Sequence, residues 1–370
     1  MHKVCTKPTS DCTLHLISRR FSVSVPASSP VFATRLHHRH TSVFCRPGSR
    51  PDSRLSRPVA TTAGIPKRHL QIQTAAMSSS STSTPQPAAL SAEERAALVE
   101  KSKRAAAYQA VRDYLQPTFR HVGIGSGSTV VYVVEAIAAQ GPSVTAPMLF
   151  YPTGEQSRRL ILAAGLRLAY VQDLPAGTAL DVAFDGADEV DEHLNLIKGG
   201  GACLTQEKIV ASSARRFVCV ADFRKRSARL GTAWRQGVPI EVLPMAADRV
   251  LAELRHLGSA TARVRPGLPG KAGPIVTDNG MLIIDAPFPP LLLPGDEGVA
   301  ASGKEGDGAD GIWTVDALAQ RLINIVGVAE IGLFHGKNGD EVAMGAQKPV
   351  AAYFGMEDGT VEVLKAKASA

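Results

Sequence analysis

Cysteine is scarce in this chain of 370 residues, which has only five. Cys5, Cys12 and Cys45 lie in the N-terminal segment, while Cys203 and Cys219 sit in apolar surroundings with no C-x-x-C spacing. A disulfide framework and a zinc site of the usual ligand spacing are therefore excluded. No run of about 18 consecutive apolar residues occurs, so no membrane span is expected. There is no internal repeat. Acidic residues are nearly missing from the first 90 positions, where 12 Lys and Arg stand against Asp11 and Asp52, so that this stretch carries +10 and the remainder −3 of a net +7. A basic leader on a mildly acidic body is not the stripe of positive charge that a nucleic-acid backbone requires, and nucleic acid is not an expected partner.

What the chain does contain is enough apolar sequence, 44% against 20% charged, to bury a sizeable core in about two globular domains. The leader is rich in Ser, Thr, Arg and His and has no apolar core of the kind a secretory signal needs, a composition typical of organellar transit peptides. Ser78 to Ser81, followed by Pro85 and Pro87, reads as a disordered junction. Residues 1–85 are assigned to this transit peptide and linker. Met77 offers an alternative internal start, which would give a cytosolic form.

Ordered structure is expected from Ser91, where Ser91-Ala-Glu-Glu94 is a capping box leading into an Ala-rich helix to about Tyr114, ended by Pro117. The apolar stretch His121 to Gly125 enters a Gly/Ser turn, and Val130 to Ala139 has helical spacing. Expected strands follow at Met148–Tyr151, Leu168–Val171, Val182–Asp185 and Phe217–Ala221, with helices at Gln156–Ala164 and Thr205–Ala214. Such alternation predicts an α/β fold, a Rossmann-like parallel-sheet domain over residues 86–239. After Pro239 the pattern changes to strands at Ile240–Leu243, Ile275–Asp278, Met281–Asp285 and Ala329–Phe334, with helices at Ala246–Leu257 and Val315–Ile325. This predicts a smaller α+β (ferredoxin-like) lid domain over 240–335, interrupted by a disordered surface insertion at 286–311 rich in Pro, Gly and acids. Residues 336–370 are expected to return to the main domain.

Four segments carry chemistry. In Val122-Gly-Ile-Gly-Ser-Gly-Ser-Thr129, small residues let backbone N–H groups approach an anion to which the next helix presents its positive end. The loop lacks a Walker Lys and the full dinucleotide G-x-G-x-x-G, so a compact sugar phosphate suits it better than a nucleotide. In Ala183-Phe-Asp-Gly-Ala-Asp-Glu-Val-Asp191 an acid cluster follows an apolar strand, and Asp185 and Asp188 project where open α/β sheets bind ligands. A solvated acidic turn is the plainer alternative, and a calcium loop would need more ligands at alternate positions. In Leu196-Ile-Lys-Gly-Gly-Gly-Ala-Cys-Leu-Thr-Gln-Glu-Lys-Ile-Val210, Lys198 precedes a triple-Gly turn and Glu207 falls in the first turn of a helix that Thr205 can cap. Taken singly, these are a surface charge and a dipole-complementing acid. The fourth, Val218-Cys-Val-Ala-Asp-Phe-Arg-Lys225, ends in a loop whose Lys225 can meet a phosphate as a point charge.

In this order the four segments resemble the ribose-5-phosphate isomerase A family, as do Pro239-Ile-Glu-Val-Leu-Pro244, Val276-Thr-Asp-Asn-Gly280 and Gly327-Val-Ala-Glu-Ile-Gly-Leu-Phe334. The resemblance runs from about Ser91 to the C-terminus. It implies interconversion of ribose 5-phosphate and ribulose 5-phosphate without a metal or other cofactor, by a homo-oligomer (dimer or tetramer) with no nucleic-acid or membrane partner. By matching position it implies that Ser126, Gly127, Ser128 and Thr129 bind substrate, the last two near the phosphate with Lys225 and Lys103. It places Asp185, Gly186, Ala187 and Asp188 at the ring-opening and hydroxyl-binding acids, Lys198, Gly199, Gly200 and Gly201 in the substrate loop, and Glu207 as the general base. Departures are Ser126 where Thr is common, Gly154 in place of a Ser, Arg224 in place of a small polar residue, and the insertion.

Aldose–ketose isomerisation needs a base to move a proton from C2 to C1 and a donor to stabilise the enediolate oxygen. Glu207 suits the first, with its pKa raised towards ~6–7 by partial burial, and Lys198 with the Gly200 and Gly201 amides suits the second. A sugar-phosphate sensor is the competing class, but the N-terminal segment has no pattern for a helix-turn-helix. A CoA-transferase should lack the DGAD and KGGG pair, and an amino-sugar-phosphate isomerase should carry a different base constellation. Ser/Thr richness and the family's plastid role favour the chloroplast stroma, with mitochondrion or cytosol as alternatives; carbon fixation and the pentose phosphate pathway both use this reaction.

Overall fold

The computed structural model describes residues 91–296, 308 and 311–366. The readings made for residues 1–85, Met77, Cys5, Cys12 and Cys45, and most of the second half of the 286–311 insertion, lie outside the described residues.

Helix α1 (Ala92–Tyr114) begins at the expected capping box: the Glu94 N–H donates to Ser91 Oγ and the Ser91 N–H donates back to the Glu94 carboxylate. Ala106, Ala107, Ala110 and Val111 line its buried face. Their small side chains let the helix lie close on the sheet, where a Cβ on Gly355 would overlap the Ser102 carbonyl oxygen at 1.8 Å. Four further helices and six strands continue the first unit: β1 (His121–Ile124), α2 (Val130–Ala138), α3 (Pro142–Thr145), β2 (Leu149–Pro152), α4 (Glu155–Ala163), β3 (Val182–Asp185), β4 (Glu189–Val190), β5 (Leu196–Ile197), α5 (Leu204–Ser212) and β6 (Phe217–Asp222). After the second unit the chain returns as β12 (Ala351–Gly355) and β13 (Val361–Lys365). The main sheet has the order β13-β12-β6-β3-β1-β2 and is parallel except for β13. Its central strands are buried on both faces, with Val122, Phe184, Val182 and Val218 in one core cluster, each such side chain worth roughly 1.5–3 kcal/mol of transfer free energy. β1 lies between β2 and β3, so the crossovers leaving it diverge and open a crevice at the carboxyl ends of β1 and β3.

The second unit contains β7 (Val238–Val242), α6 (Ala247–His256), β8 (Arg263–Val264), β9 (Leu282–Ala286), α7 (Val315–Ile323) and β10 (Val328–Ile331). Its antiparallel sheet has the order β10-β7-β9-β8, which with the βαββαβ sequence is the ferredoxin-like arrangement. Strand β11 (Leu333–Phe334) returns to the first unit and pairs with β5 in a three-stranded sheet with β4.

Three expectations are corrected. Leu168–Val171 is no strand: Leu168 forms a single bridge to Phe150, after which a 3₁₀ turn spans Val171–Asp173. Ile275–Asp278 bends instead of pairing along its length, because Thr277 Oγ1 accepts the N–H groups of Asn279 and Met281 and folds the segment into a turn. The first part of the expected surface insertion is packed inward: Phe288 and Leu291 join the core of the second unit, Leu293 is also buried, and Leu292 bridges to Thr314.

Candidate active site

The crevice at the carboxyl ends of β1 and β3 continues into a cavity of about 270 Å³. The loop after β1 forms one wall. Gly125 is required there by contact, since a Cβ would stand 2.0 Å from Asp185 Oδ1. Beyond it the Ser126 N–H donates to Asp185 Oδ1, and Ser126 Oγ shares a 2.8 Å hydrogen bond with Thr153. Gly127 has φ +109°, a conformation open to glycine, and its N–H donates to Gln156 Oε1 at 2.8 Å. Ser128 is exposed at the mouth and Thr129 is buried ahead of α2. Lys103 from α1 also lines the cavity, 2.7 Å from Glu100. Lys225 lines it too, its ammonium 5.1 Å from the centre of the Trp234 ring.

The inner end holds the buried charges. Lys198 is 2% exposed and Glu207 4%. The Lys198 ammonium lies 2.9 Å from Asp185 Oδ2 and 3.3 Å from Glu207 Oε2, and donates to the Gly186 carbonyl at 2.6 Å. Glu207 Oε2 has no hydrogen-bond partner among the described residues. Burial, reinforced by the Asp185 charge and only partly offset by Lys198, pushes the Glu207 carboxyl up to about 8. That is above the expected ~6–7, because the side chain is almost fully enclosed rather than partly so. Burial likewise raises Asp185 against the pull of Lys198. Burial alone would lower Lys198, but the Asp185 and Glu207 carboxylates outweigh it and keep the ammonium protonated.

All the residues picked out in the sequence lie around this cavity, but not on equal terms. Gly186, Ala187, Asp188 and Gly199 to Gly201 line it. Asp185 sits one layer back, with Oδ1 accepting the Ser126 and Gly186 N–H groups and Oδ2 facing Lys198. Asp188 accepts the Gly200 N–H at 2.7 Å, so that amide, expected to help hold a substrate oxygen, is engaged within the protein. The other acids of the cluster are structural: Glu189 gathers the 227–233 loop through Ser227, Gly231, Thr232 and Ala233, and Asp191 accepts from His193 and Asn195. Thr205 does not cap α5. Cys203 is the cap residue, and the Thr205 hydroxyl donates to Glu241 of β7 instead.

Four lining residues were not foreseen: Gln156, Cys203, Asp222 and Arg224. Cys203, Asp222 and Arg224 lie inside motifs already singled out, whereas the approach of Gln156 to Gly127 has no local signal. Arg224 pairs with Asp222 through Nε at 2.6 Å and holds that carboxyl below its ordinary value although burial opposes it. Burial pushes the Cys203 thiol up to about 12, which leaves it protonated. A larger cleft of about 660 Å³ beyond Gly154, lined by Arg158, Tyr170 and Ile209, contains none of the buried charges.

A parallel-sheet α/β fold with a Gly/Ser loop at its switch point, facing a buried carboxylate–ammonium cluster, defines an enzyme-like site for a small anionic ligand. Comparison with known proteins narrows the class. The family profile described as ribose 5-phosphate isomerase A (phosphoriboisomerase A) matches residues 149–348. Ribose-5-phosphate isomerase of Mycosarcoma maydis is 48% identical over 265 residues, covering 72% of this chain and 81% of that protein. That of Eremothecium gossypii is 48% identical over 273 residues, covering 72% and 93%. Among solved structures, ribose 5-phosphate isomerase A from Methanocaldococcus jannaschii is 30% identical with a TM-score of 0.56, covering 72% of this chain and 99% of that one. A D-ribose-5-phosphate isomerase in complex with phospho-erythronic acid is 31% identical with a TM-score of 0.58 over the same shares. The chain belongs to the ribose 5-phosphate isomerase A family.

Proposed function

We propose that this protein interconverts D-ribose 5-phosphate and D-ribulose 5-phosphate through an enediolate, with Glu207 as the proton-shuttling base. The observation that carries the reading is the pairing of Glu207 with Lys198, both buried and 3.3 Å apart, in the cavity that Ser128, Thr129, Lys103 and Lys225 also line. A phosphate bound by those four groups directs the carbonyl end of an open-chain pentose towards Glu207 and Lys198, and this binding away from the reacting carbons holds the sugar in register.

In the forward direction the Glu207 carboxylate takes the C2 proton, and the electron pair of that C–H bond forms the C1–C2 double bond. The C1 carbonyl π pair moves onto O1, where the Lys198 ammonium and the Gly201 N–H offset the developing charge. Transfer of the O2 hydroxyl proton to O1 and return of the Glu207 proton to C1 give the ketose; C1 is reduced, C2 is oxidised, and no external electron carrier is consumed. Asp188, at the cavity surface, is the acid placed to handle the ring oxygen during opening. Asp185, one layer back, holds Lys198 and the Ser126 and Gly186 amides. The groups that move protons belong to the chain itself, so turnover is expected to persist in EDTA.

The composition of residues 1–85 supports import into the chloroplast stroma, in a plastid-type member serving carbon fixation and the pentose phosphate pathway as a homodimer or tetramer. The central test is ribulose 5-phosphate formation by the purified chain in EDTA beside Glu207→Gln. Turnover lost in the variant while ribose 5-phosphate still binds supports the mechanism; binding without turnover in the folded wild type would favour a sugar-phosphate sensor. For the compartment, a diffuse cytosolic signal from a fluorescent fusion to residues 1–90 would defeat the plastid assignment.

A further inference from the structure

Among the described residues, everything that lines the cavity lies between Lys103 and Lys225 in sequence, in the first unit. The ferredoxin-like sheet instead reaches the cavity's glycine loop from behind, through a buried ion pair. Arg265, next after β8, and Asp285 of β9 are 9% and 1% exposed. One edge of the guanidinium is bidentate on the carboxylate, Nε to Oδ2 at 3.0 Å and Nη2 to Oδ1 at 2.5 Å. The remaining nitrogen, Nη1, donates to the carbonyl oxygens of both Gly199 and Gly200, each at 2.9 Å.

We infer that Arg265, charge-balanced by Asp285, is a positioning residue that aims the Gly201 amide N–H at the reacting oxygen, so that the second sheet acts as a brace for the catalytic loop. A trans peptide is planar and its N–H points opposite its C=O. Drawing the Gly200 carbonyl onto Arg265 therefore turns the Gly201 N–H to the opposite side. The same constraint on the Gly199 carbonyl turns the Gly200 N–H away from Arg265, and that N–H meets Asp188. Apart from Gly201 and its two chain neighbours, no heavy atom of the described residues lies within 4 Å of where a Cβ would stand on Gly201, and Gly201 lines the cavity. Three successive glycines have no side chains to hold their dihedral angles and lose more freedom on ordering than any other residues, so the loop's direction must be imposed from outside. A guanidinium fork can serve a carboxylate and two carbonyls at once, which a lysine ammonium cannot do in the same geometry.

The inference rests on the enediolate reading given above, and its test separates the two. Removing Arg265 alone leaves Asp285 buried without a partner, whereas exchanging both members of a buried ion pair for apolar residues of similar volume commonly preserves stability. The double variant R265M/D285L therefore removes the carbonyl clamp while keeping the fold. In the full chain, with thermal melting as the check on folding, kcat should fall about tenfold to hundredfold with KM within about threefold of wild type, because the phosphate end is untouched. Arg265→Lys, which keeps the charge but not the fork, should retain an intermediate kcat and carries the test if the double variant does not fold. A folded double variant within twofold of the wild-type kcat, or a loss confined to KM, overturns the inference, as does an Arg265→Lys variant that turns over like wild type. Glu207→Gln is assayed alongside: if it retains wild-type turnover the enediolate reading itself fails, and if it is inactive while R265M/D285L is not, only the brace fails.

Discussion

Replacing Glu207 with Gln should make the protein more stable while it abolishes turnover, and the stabilisation has a defined pH signature. The folded carboxyl is held at about 8, against a reference value of 4.5. Between these two values the unfolded chain has released the proton and the folded chain still binds it, so folding stability falls as pH rises through the window. Each pH unit separating the two values is worth about 1.4 kcal/mol. Relative to a neutral amide of the same shape, Glu207 therefore costs roughly 1 kcal/mol at pH 5, about 3 kcal/mol at pH 7 and about 5 kcal/mol at pH 9 and above. Thermal or denaturant unfolding of wild type and Glu207→Gln across pH 5 to 9 should show the gap widening and then levelling, while kcat of the variant falls by roughly 10² to 10⁴. A stability gap that stays flat over this range would refute the argument, since it would mean that the enclosed carboxyl ionises as it does in water.

Three further expectations follow from the same cavity. Because Glu207 must be unprotonated to act as a base, kcat/KM of the wild type should decline as pH drops below about 8, and an acid limb placed near an ordinary carboxylate would contradict this. Lys225→Ala removes a cation from the cavity mouth and should raise KM for ribose 5-phosphate about tenfold with a smaller effect on kcat; an unchanged KM would remove Lys225 from the phosphate site. Cys203 lines the cavity, but its thiol is held up to about 12, so iodoacetamide at pH 8 should leave Cys203 unmodified and activity intact, as peptide mass mapping would show.

Local chemistry made much of this site legible before any coordinates. Ser91 and Glu94 announced the start of α1 because both halves of a capping box lie within four residues. The apolar strand before Asp185 and the helix carrying Glu207 could be read from pattern alone, since burial of β3 and the placement of α5 follow from neighbours in sequence. What escaped depends on partners far along the chain. Thr205 looks like a cap until Glu241, 36 residues away, takes its hydroxyl. Gln156 contacts Gly127 across 29 residues, and Arg265 reaches Gly199 across 66. Leu168 and Ile275 have strand composition, yet each segment turns after limited pairing. Tertiary competition of this kind overrides propensity and leaves no mark in a short window.

The pairing of β12 with β6 also bears on how the protein is made. Residues 351–355 lie alongside 218–222, and β13 covers the outer edge of β12 in turn. During synthesis β6 therefore remains an open sheet edge until more than a hundred later residues have emerged, a contact order that slows closure. An unpaired, fully buried-type strand such as Phe217–Asp222 is a template for misassociation while it waits. Nascent chains should accordingly depend on holding factors more than the stability of the finished sheet suggests, and truncations that remove the last two strands should aggregate rather than fold.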